Sequence, residues 1–342
     1  MRAGDWLGGL LACMLGLVAA PTAWAAAPEP VRVMIVTTFA DEASAWEQAR
    51  AFPREIPVPG LPAAYPTVKC GADHVCLVTI GEGHANAASS VAALVFGGRF
   101  DLRRTYWVVT AIAGINPRQG TLGSAAWADW LVEFGLQWEL DARVKPPSWP
   151  SGYTGLLSSG PGGKPGTLYG TELFRLDARL VRRAYELSRH VKLTDSAAAR
   201  KTRAAYPPPA NQPPAVIRCD TASGDTWWSG EHLAQRAEAW TRLLTDGRGR
   251  YCTTQQEDNA TYAALVRGHT AGLVDTGRVA VLRTGSDFDR PPPGGSSADN
   301  LLDFADQGGF GPALANLVLA ATPLVDEIAT HWSTWREGVP PS

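Results

Sequence analysis

The sequence predicts an α/β fold built around a mostly parallel β-sheet. Residues 31–38 form a near-continuous apolar and β-branched run, which is typical of a strand covered on both faces. Residues 75–80 repeat that pattern, and a glycine turn, Gly81-Glu82-Gly83, leads from them into an alanine-rich helical segment at 86–96. Because strand and helix patterns go on alternating along the chain, successive strands are expected to lie parallel in one sheet.

The remaining elements follow in order from their own patterns. A helix is predicted at 42–51, and further strands at 106–112 and 124–134, with a turn at 113–117 between them. A Pro-, Gly- and Ser-rich stretch near 145–214 indicates an insertion that runs over the surface, interrupted by a helix at 170–191 with leucines on one stripe. The core pattern resumes with a strand at 215–219, helices at 231–244 and 257–267, a strand at 279–283 and a helix at 311–335.

Length and charge limit the classes of function. The chain has 342 residues, a formal net charge of −2 and a pI near 6.3. This balance argues against nucleic acid as a partner and favours a small neutral ligand. The histidines form no metal-ligand pattern, so neither a metal nor another cofactor is expected. Asn86 stands where a dinucleotide fingerprint would need its third glycine, which disfavours that kind of cofactor at the glycine turn.

The N-terminus is predicted to be a signal peptide, residues 1–27. Arg2 precedes an apolar stretch at 7–20 and a small-x-small cleavage signal, Ala23-Trp24-Ala25. Cys13 falls inside the apolar stretch, which leaves lipidation as a minor alternative. No later segment reaches the ~20 apolar residues needed to span a bilayer. We therefore expect an exported protein, periplasmic or secreted, in which residues 28–342 form a single domain that includes the insertion.

Four cysteines remain after removal of the leader. An even number in an oxidising compartment, without a Cys-x-x-Cys pair, indicates two disulfides rather than a metal site. We predict a Cys70–Cys76 bridge that closes a short loop. We also predict a Cys219–Cys252 bridge that joins the strand before Asp220 to the segment before Glu257.

Carboxylates gather in two segments about thirty residues apart. Residues 253–261 place Glu257 at the start of a predicted helix, and residues 283–291 place Asp287 and Asp289 after a predicted strand. Acids at such positions of an α/β sheet face the crevice where these folds bind small ligands. The structural alternative is that Glu257 only favours a helix N-terminus and that Asp289 forms a surface ion pair with Arg290.

A series of ordered motifs carries a resemblance to a known family. The motifs are Val36-Thr37-Thr38-Phe39-Ala40 with Glu42, Gly81-Glu82-Gly83 with Asn86-Ala87-Ala88-Ser89, Ile112-Ala113-Gly114-Ile115-Asn116-Pro117, Tyr169-Gly170-Thr171-Glu172, Thr254-Gln255-Gln256-Glu257-Asp258-Asn259-Ala260-Thr261, and Arg283-Thr284 with Ser286-Asp287-Phe288-Asp289-Arg290-Pro291. On these residues the chain resembles the purine nucleoside permease (NUP) family of fungi over 31–335. The family name implies nucleoside transport, which a chain without membrane spans cannot perform alone.

The family in turn resembles the nucleoside phosphorylase and nucleosidase superfamily. That likeness implies an α/β fold with a central, mixed and partly closed sheet flanked by helices. Followed position by position against the adenosylhomocysteine-type nucleosidases, it makes Asp287 the group that protonates purine N7 and Glu42 the group that helps activate water. Glu257 would accept hydrogen bonds from the ribose hydroxyls. Asp287 would need burial to hold its proton at neutral pH.

The same resemblance implies the remaining ligand-binding positions. The base would be framed by Asp225, in Ser223-Gly224-Asp225, and by Trp227, while Ser286 would lie beside Asp287. Gly83 would let the backbone approach the ligand, because it has no side chain. Gln256 precedes Glu257 in place of the usual Met, and Asn116 belongs to the motif at 112–117.

The implied function is binding of a purine nucleoside with cleavage of its N-glycosidic bond. One alternative is a non-catalytic nucleoside-binding component of an uptake system, which would keep Glu257 and Trp227 but could dispense with Glu42. The other alternative is a phosphorylase, which needs an anion site. Residues 110–114 contain no arginine where the bacterial phosphorylases place theirs. Homo-oligomerisation is left open.

Overall fold

The computed structural model describes residues 27–341 and has a mixed α/β architecture. The predicted leader, apart from Ala27, lies outside the described residues. The strands are β1 (Glu29–Pro30), β2 (Val33–Thr37), β3 (Arg54–Pro57), β4 (Thr67–Cys70), β5 (Val75–Thr79), β6 (Phe100–Asp101), β7 (Tyr106–Ile115), β8 (Ala125–Trp127), β9 (Trp130–Glu133), β10 (Trp138–Glu139), β11 (Tyr153–Thr154), β12 (Leu173–Arg175), β13 (Val216–Arg218), β14 (Asp220–Ser223), β15 (Tyr251–Gln255) and β16 (Val279–Phe288). The α-helices are α1 (Ala40–Ala49), α2 (His84–Phe96), α3 (Ala178–Ser188), α4 (Ala197–Arg203), α5 (Glu231–Leu244), α6 (Asp258–Thr270), α7 (Ser297–Leu302), α8 (Phe310–Thr330) and α9 (Trp332–Trp335). Short 3₁₀ turns lie at Thr276–Arg278 and Phe304–Gln307.

The central sheet is mixed, as the superfamily resemblance implies. Its main path runs β12-β9-β14-β15-β7-β2-β5-β4-β3. Strands β5, β2, β7 and β16 run parallel to one another, whereas β15 runs antiparallel to β7 and β8 antiparallel to β16. The carboxyl ends of the parallel strands therefore meet at one edge of the sheet, where a ligand crevice is expected.

Strands β7 and β16 are longer than their sequence patterns predict. They pair in parallel from Val279 opposite Trp107 to Phe288 opposite Ile115. The predicted ends of these strands, at 112 for β7 and at 283 for β16, are therefore wrong. Backbone hydrogen bonds between the two strands continue through polar and small residues, which the apolar pattern does not include. As a result, Ser286 and Asp287 lie within a strand rather than after one.

The insertion contributes to the core. Leu173–Arg175 pairs antiparallel with β9, and the Asp177 side chain then accepts hydrogen bonds from the N–H groups of Arg179 and Leu180, which starts α3. The helix predicted at 170–191 is thus wrong for its first turns, since strand pairing and an N-cap decide the boundary. Leu180 and Val181 are buried in the same cluster as the central strands, and we keep the single-domain organisation as a proposal that this packing supports.

Helix α8 covers the sheet. It packs against β16, β7 and α3, and it is the one helix of residues 27–341 that is long and apolar enough to cross a membrane. In the most apolar 18-residue stretch of α8, 56% is buried inside the protein, as expected for a core helix. Asn316, fully buried in α8, donates hydrogen bonds to the carbonyls of Gly123 and Thr194, so even its polar positions have partners within the fold.

Both predicted disulfides are present. Cys70 and Cys76 join the paired strands β4 and β5, and Cys219 joins the start of β14 to Cys252 in β15. The second bridge links two neighbouring segments that each lead toward the same edge of the sheet.

Candidate active site

A cavity of about 210 Å³ opens at the carboxyl edge of the central strands. The segments that follow β2, β5, β14 and β15 meet there with the outer halves of β7 and β16, and with aromatic side chains from α8 and the loop before it. The lining residues are Thr38, Phe39, Glu82, Ile112, Ala113, Gly114, Gly224, Thr226, Trp227, Trp228, Thr254, Gln255, Gln256, Glu257, Arg283, Ser286, Asp287, Phe304 and Phe310. Of the predicted site residues, the structure thus brings Asp287, Ser286, Glu257, Gln256 and Trp227 together.

A bulge in β16 presents Asp287 to the cavity. The pairing with β7 shifts between Gly285 and Asp287, so Ser286 is an extra residue in the ladder. Two consecutive side chains, Ser286 and Asp287, consequently both line the cavity, although side chains in a regular strand alternate between its faces. Gly285 permits the close approach of the two strands, because a Cβ there would lie 2.7 Å from Cγ2 of Ile115.

Asp287 is a buried carboxyl without a cationic partner among the described residues. Its side chain is hydrogen-bonded by the Ser286 hydroxyl at 2.7 Å. Burial raises the pKa of Asp287 to about 7, the Ser286 hydrogen bond opposes that rise, and the negative charge of Asp289 adds to it. At neutral pH the carboxyl can therefore hold a proton and donate it.

Glu257 faces the cavity from the start of α6. It occupies the N-cap position, but its side chain makes no capping hydrogen bond. The Gln255 side chain takes that role, with its Oε1 accepting from the N–H groups of Glu257 and Asp258. The Glu257 carboxylate instead accepts from the Gly83 N–H at 3.1 Å and from Arg283 at 3.0 Å. This arrangement frees the carboxylate from helix capping and directs it toward the cavity.

Arg283 is a site residue that the sequence analysis missed. It is 1% exposed, lines the cavity, and donates two hydrogen bonds to Asp258, one to Glu257 and one to the Ile112 carbonyl. Burial alone would lower the pKa of Arg283, but the adjacent carboxylates Asp258 and Glu257 outweigh it and raise that pKa above its ordinary value. The available signal was an arginine directly after the apolar run 279–282, since a buried guanidinium requires carboxylate partners.

Glu42 lies behind the cavity wall. Its Oε2 accepts from the N–H and the hydroxyl of Thr38, at 2.7 and 2.9 Å, and its Oε1 accepts from the Ile112 N–H at 2.7 Å. Burial raises the pKa of Glu42 to about 7, although Arg283 and these hydrogen bonds oppose the rise. Thr38 and Ile112 both line the cavity and both bond Glu42, and Thr38 does so through a hydroxyl that can carry a proton.

Aromatic side chains form one wall of the cavity. Trp227 is 48% exposed and lies with its ring centroid 4.7 Å from that of Phe304. Phe39 and Phe310 lie 6.3 Å apart on the part of the wall nearest Thr38. Trp228 is buried in a core cluster and also lines the cavity. An apolar wall beside a few polar groups suits a planar heterocycle.

Three further predicted ligand-binding residues do not line the cavity. Gly83 has a φ of 85°, and its N–H is bonded to Glu257. Asp225 lies beside it, with its carboxylate accepting from the His84 N–H at 2.8 Å. Asn116 is fully buried beyond the end of β7, where it donates to Glu238 and accepts from the Arg118 N–H. Gly83 and Asp225 thus hold the rim of the site together, while Asn116 holds a neighbouring turn.

A family model described as purine nucleoside permease (NUP) matches residues 30–340. The chain belongs to the purine nucleoside permease family. A member from Candida albicans is 38% identical over 307 residues, which cover 88% of this chain and 75% of that protein. A probable purine nucleoside permease of Schizosaccharomyces pombe is 38% identical over 318 residues, which cover 89% of this chain and 90% of that one.

Solved structures place this member of the permease family in the nucleosidase fold. A futalosine hydrolase mutant of Helicobacter pylori superimposes with a TM-score of 0.53 at 13% identity, covering 87% of this chain and 99% of the hydrolase. A 5′-methylthioadenosine/S-adenosylhomocysteine nucleosidase of Neisseria meningitidis, in complex with methylthio-immucillin-A, gives a TM-score of 0.50 at 13% identity, covering 86% and 99%. At such identities the likeness concerns the fold, and it confirms the predicted nucleoside phosphorylase-like architecture.

Proposed function

We propose that the protein binds purine nucleosides and hydrolyses their N-glycosidic bond. The observation that carries the proposal is the pairing of two different carboxyl groups in one cavity. Asp287 has a pKa raised to about 7 and makes no ion pair among the described residues, whereas Glu257 is bonded to Arg283. Carboxyl groups whose environments differ in this way suit the separate roles of proton donor and charged acceptor.

In the proposed reaction Asp287 donates its proton to purine N7 as the bond between the base and the sugar breaks. The bond electrons leave with the base, and positive charge develops on the sugar. Glu257 accepts hydrogen bonds from the sugar hydroxyls and stabilises that charge. Water then attacks the sugar carbon and passes a proton through the Thr38 hydroxyl to Glu42, with which Thr38 is hydrogen-bonded.

Water is favoured over phosphate as the nucleophile because, among the described residues, a single cationic side chain lines the cavity and it is already paired with two carboxylates. That side chain is Arg283, and its bonds to Asp258, Glu257 and the Ile112 carbonyl use four of its five N–H groups. A phosphate ion would have to compete with these buried partners.

A second candidate function is nucleoside binding without catalysis, as a component of uptake. The position of Glu42 favours it, because both oxygens of that carboxylate are already bonded and Glu42 does not line the cavity.

In either case we propose that the protein is exported, on the strength of the predicted leader and of two disulfides, which are typical of oxidising compartments.

The test is to incubate the purified mature protein with adenosine, guanosine and inosine, with and without phosphate, and to measure free base. We expect base release in phosphate-free buffer, slowed by a factor of ~10² or more in Asp287→Asn, with nucleoside binding retained. Asp303→Asn, at an exposed carboxylate outside the cavity, serves as the matched control. Formation of ribose 1-phosphate only with phosphate would identify a phosphorylase, and binding without base release under either condition would leave the second candidate.

A further inference from the structure

Glu82 is a cavity residue that the proposed mechanism does not use. It lies in the turn between β5 and α2 and lines the cavity beside Glu257. Its carboxylate has no hydrogen bond or ion pair with any residue of the described chain, 27–341. Glu82 is exposed to solvent; the partial desolvation that remains and the negative charge of Glu257 raise the pKa of Glu82, which agrees with the closeness of the two groups.

The turn that carries Glu82 resembles an anion site, but protein carboxylates bind two of its N–H groups. A glycine turn that opens a helix normally offers free N–H groups to phosphate. Here the Gly83 N–H is bonded to Glu257 and the His84 N–H to Asp225. The two N–H groups nearest the glycine are therefore bonded to carboxylates of the protein rather than to an anionic ligand.

The remaining charges of the cavity do not offset Glu82. The ionisable side chains that line it are Glu82, Glu257, Asp287 and Arg283. Arg283 carries the one positive charge of this lining, and it is shared between Glu257 and Asp258, which is buried behind the wall. Glu82, Glu257 and Asp258 together outnumber the single guanidinium, so the cavity keeps a surplus of negative charge, and Glu82 is the one of the three without a cationic partner among the described residues.

We propose that Glu82 is a specificity-determining residue that makes the cavity select nucleosides over nucleotides. The substrate class is then a purine nucleoside whose sugar carries an uncharged or cationic group in place of a phosphate, which rests on the proposed function. A phosphate monoester carries nearly two negative charges at neutral pH and would enter a cavity with a surplus of negative charge, where Glu82 has no cationic partner among the described residues. Such repulsion rejects the charged analogue while leaving the contacts of the neutral nucleoside intact.

The test compares the binding of adenosine and of its 5′-monophosphate by titration calorimetry at low and at physiological salt. The proteins are the mature wild type, Glu82→Gln and Glu186→Gln; Glu186 is an exposed glutamate of α3 without an ion pair among the described residues. We expect the wild type to prefer adenosine by roughly tenfold or more at low salt, and less at physiological salt, because mobile ions screen the repulsion. Glu82→Gln should reduce this preference by about fivefold, and Glu186→Gln should leave it unchanged.

The outcomes separate this proposal from the proposed function. Equal preference in the wild type and Glu82→Gln, or wild-type binding of the monophosphate as tight as that of adenosine, would overturn the role of Glu82 while nucleoside binding stands. If the wild type binds no purine nucleoside at all, the proposed function falls, and the charge selection falls with it. Because the readout is binding, a protein that binds without hydrolysis still decides the question.

Discussion

Replacing Asp287 by Asn should stabilise the fold at alkaline pH and leave its stability unchanged in acid. Burial raises the pKa of Asp287 from its ordinary value of 3.8 to about 7 in the folded protein. A group with a raised folded-state pKa contributes stability that is fully present below the unfolded-state pKa and is lost as the pH rises through the folded-state pKa. The loss should thus begin near pH 4 and be complete somewhat above pH 7.

The size of the effect follows from the two pKa values. One pKa unit corresponds to about 1.4 kcal/mol, so ionised Asp287 should lower the free energy of unfolding by about 4 kcal/mol at pH 8. Asn has nearly the same shape, and its Oδ1 can still accept the hydrogen bond that the Ser286 hydroxyl donates. The substitution therefore removes the charge while the local packing and that hydrogen bond stay.

The assay is urea unfolding of the wild type, Asp287→Asn and the exposed control Asp303→Asn, each at pH 4 and pH 8. We expect Asp287→Asn to exceed the wild type in free energy of unfolding by several kcal/mol at pH 8 and by under about 1 kcal/mol at pH 4. The control should match the wild type at both values. A gain of equal size at both pH values, or no gain at pH 8, would refute the desolvated carboxyl on which the proton-donor role depends.

Three other predictions concern the same site and its support. Glu257→Gln should weaken nucleoside binding by ~1.5–3 kcal/mol and free-base binding far less, measured by calorimetry, because the charged acceptor addresses the sugar; an equal loss for both ligands would contradict this role. Arg283→Met should lower the free energy of unfolding by ~3–5 kcal/mol in urea titrations, since it leaves buried carboxylates without their cation, and a near-neutral result would show that water reaches them. Replacing Cys219 and Cys252 together by Ser should lower the free energy of unfolding by ~3 kcal/mol, because the bridge spans 33 residues. Thiol titration of the unreduced, unfolded mature protein should find no free thiol.

The sequence predicts elements best where one pattern decides them. The helix predicted at 231–244 agrees with α5, Glu231–Leu244, because its period and its end signals are local. The strand predicted at 124–134 is instead two strands, since the N–H groups of Asp129 and Trp130 leave the ladder to bind the Asp220 carboxylate. That partner lies some ninety residues away along the chain, so local patterns carry no sign of the break.

The candidate site divides in the same way. Resemblance of motifs pointed to Glu257 and Asp287, which lie in two segments that meet at the cavity. Such resemblance works for residues whose surroundings are formed mainly by their own sequence neighbours. The motifs could not indicate that Glu42 is separated from the cavity by Thr38, because the position of Glu42 depends on how α1 packs against the sheet. Nor could they indicate that the Gly83 N–H is bonded to Glu257, a contact between residues 174 positions apart.

The position of a single arginine accounts for the unequal environments of the carboxyl groups. Arg283 is bonded to Glu257 and Asp258, and it makes no hydrogen bond with Asp287, which lies beyond the bulge of the same strand. The positive charge of Arg283 therefore stabilises the carboxylates on one side of the cavity. At Asp287 desolvation dominates instead and raises the pKa of that carboxyl. A second cation near Asp287 would hold that carboxyl ionised and remove its ability to donate a proton at neutral pH. The lack of a cation beside Asp287 in the described chain, which argues against a phosphate site, is thus also what the proposed proton donor requires.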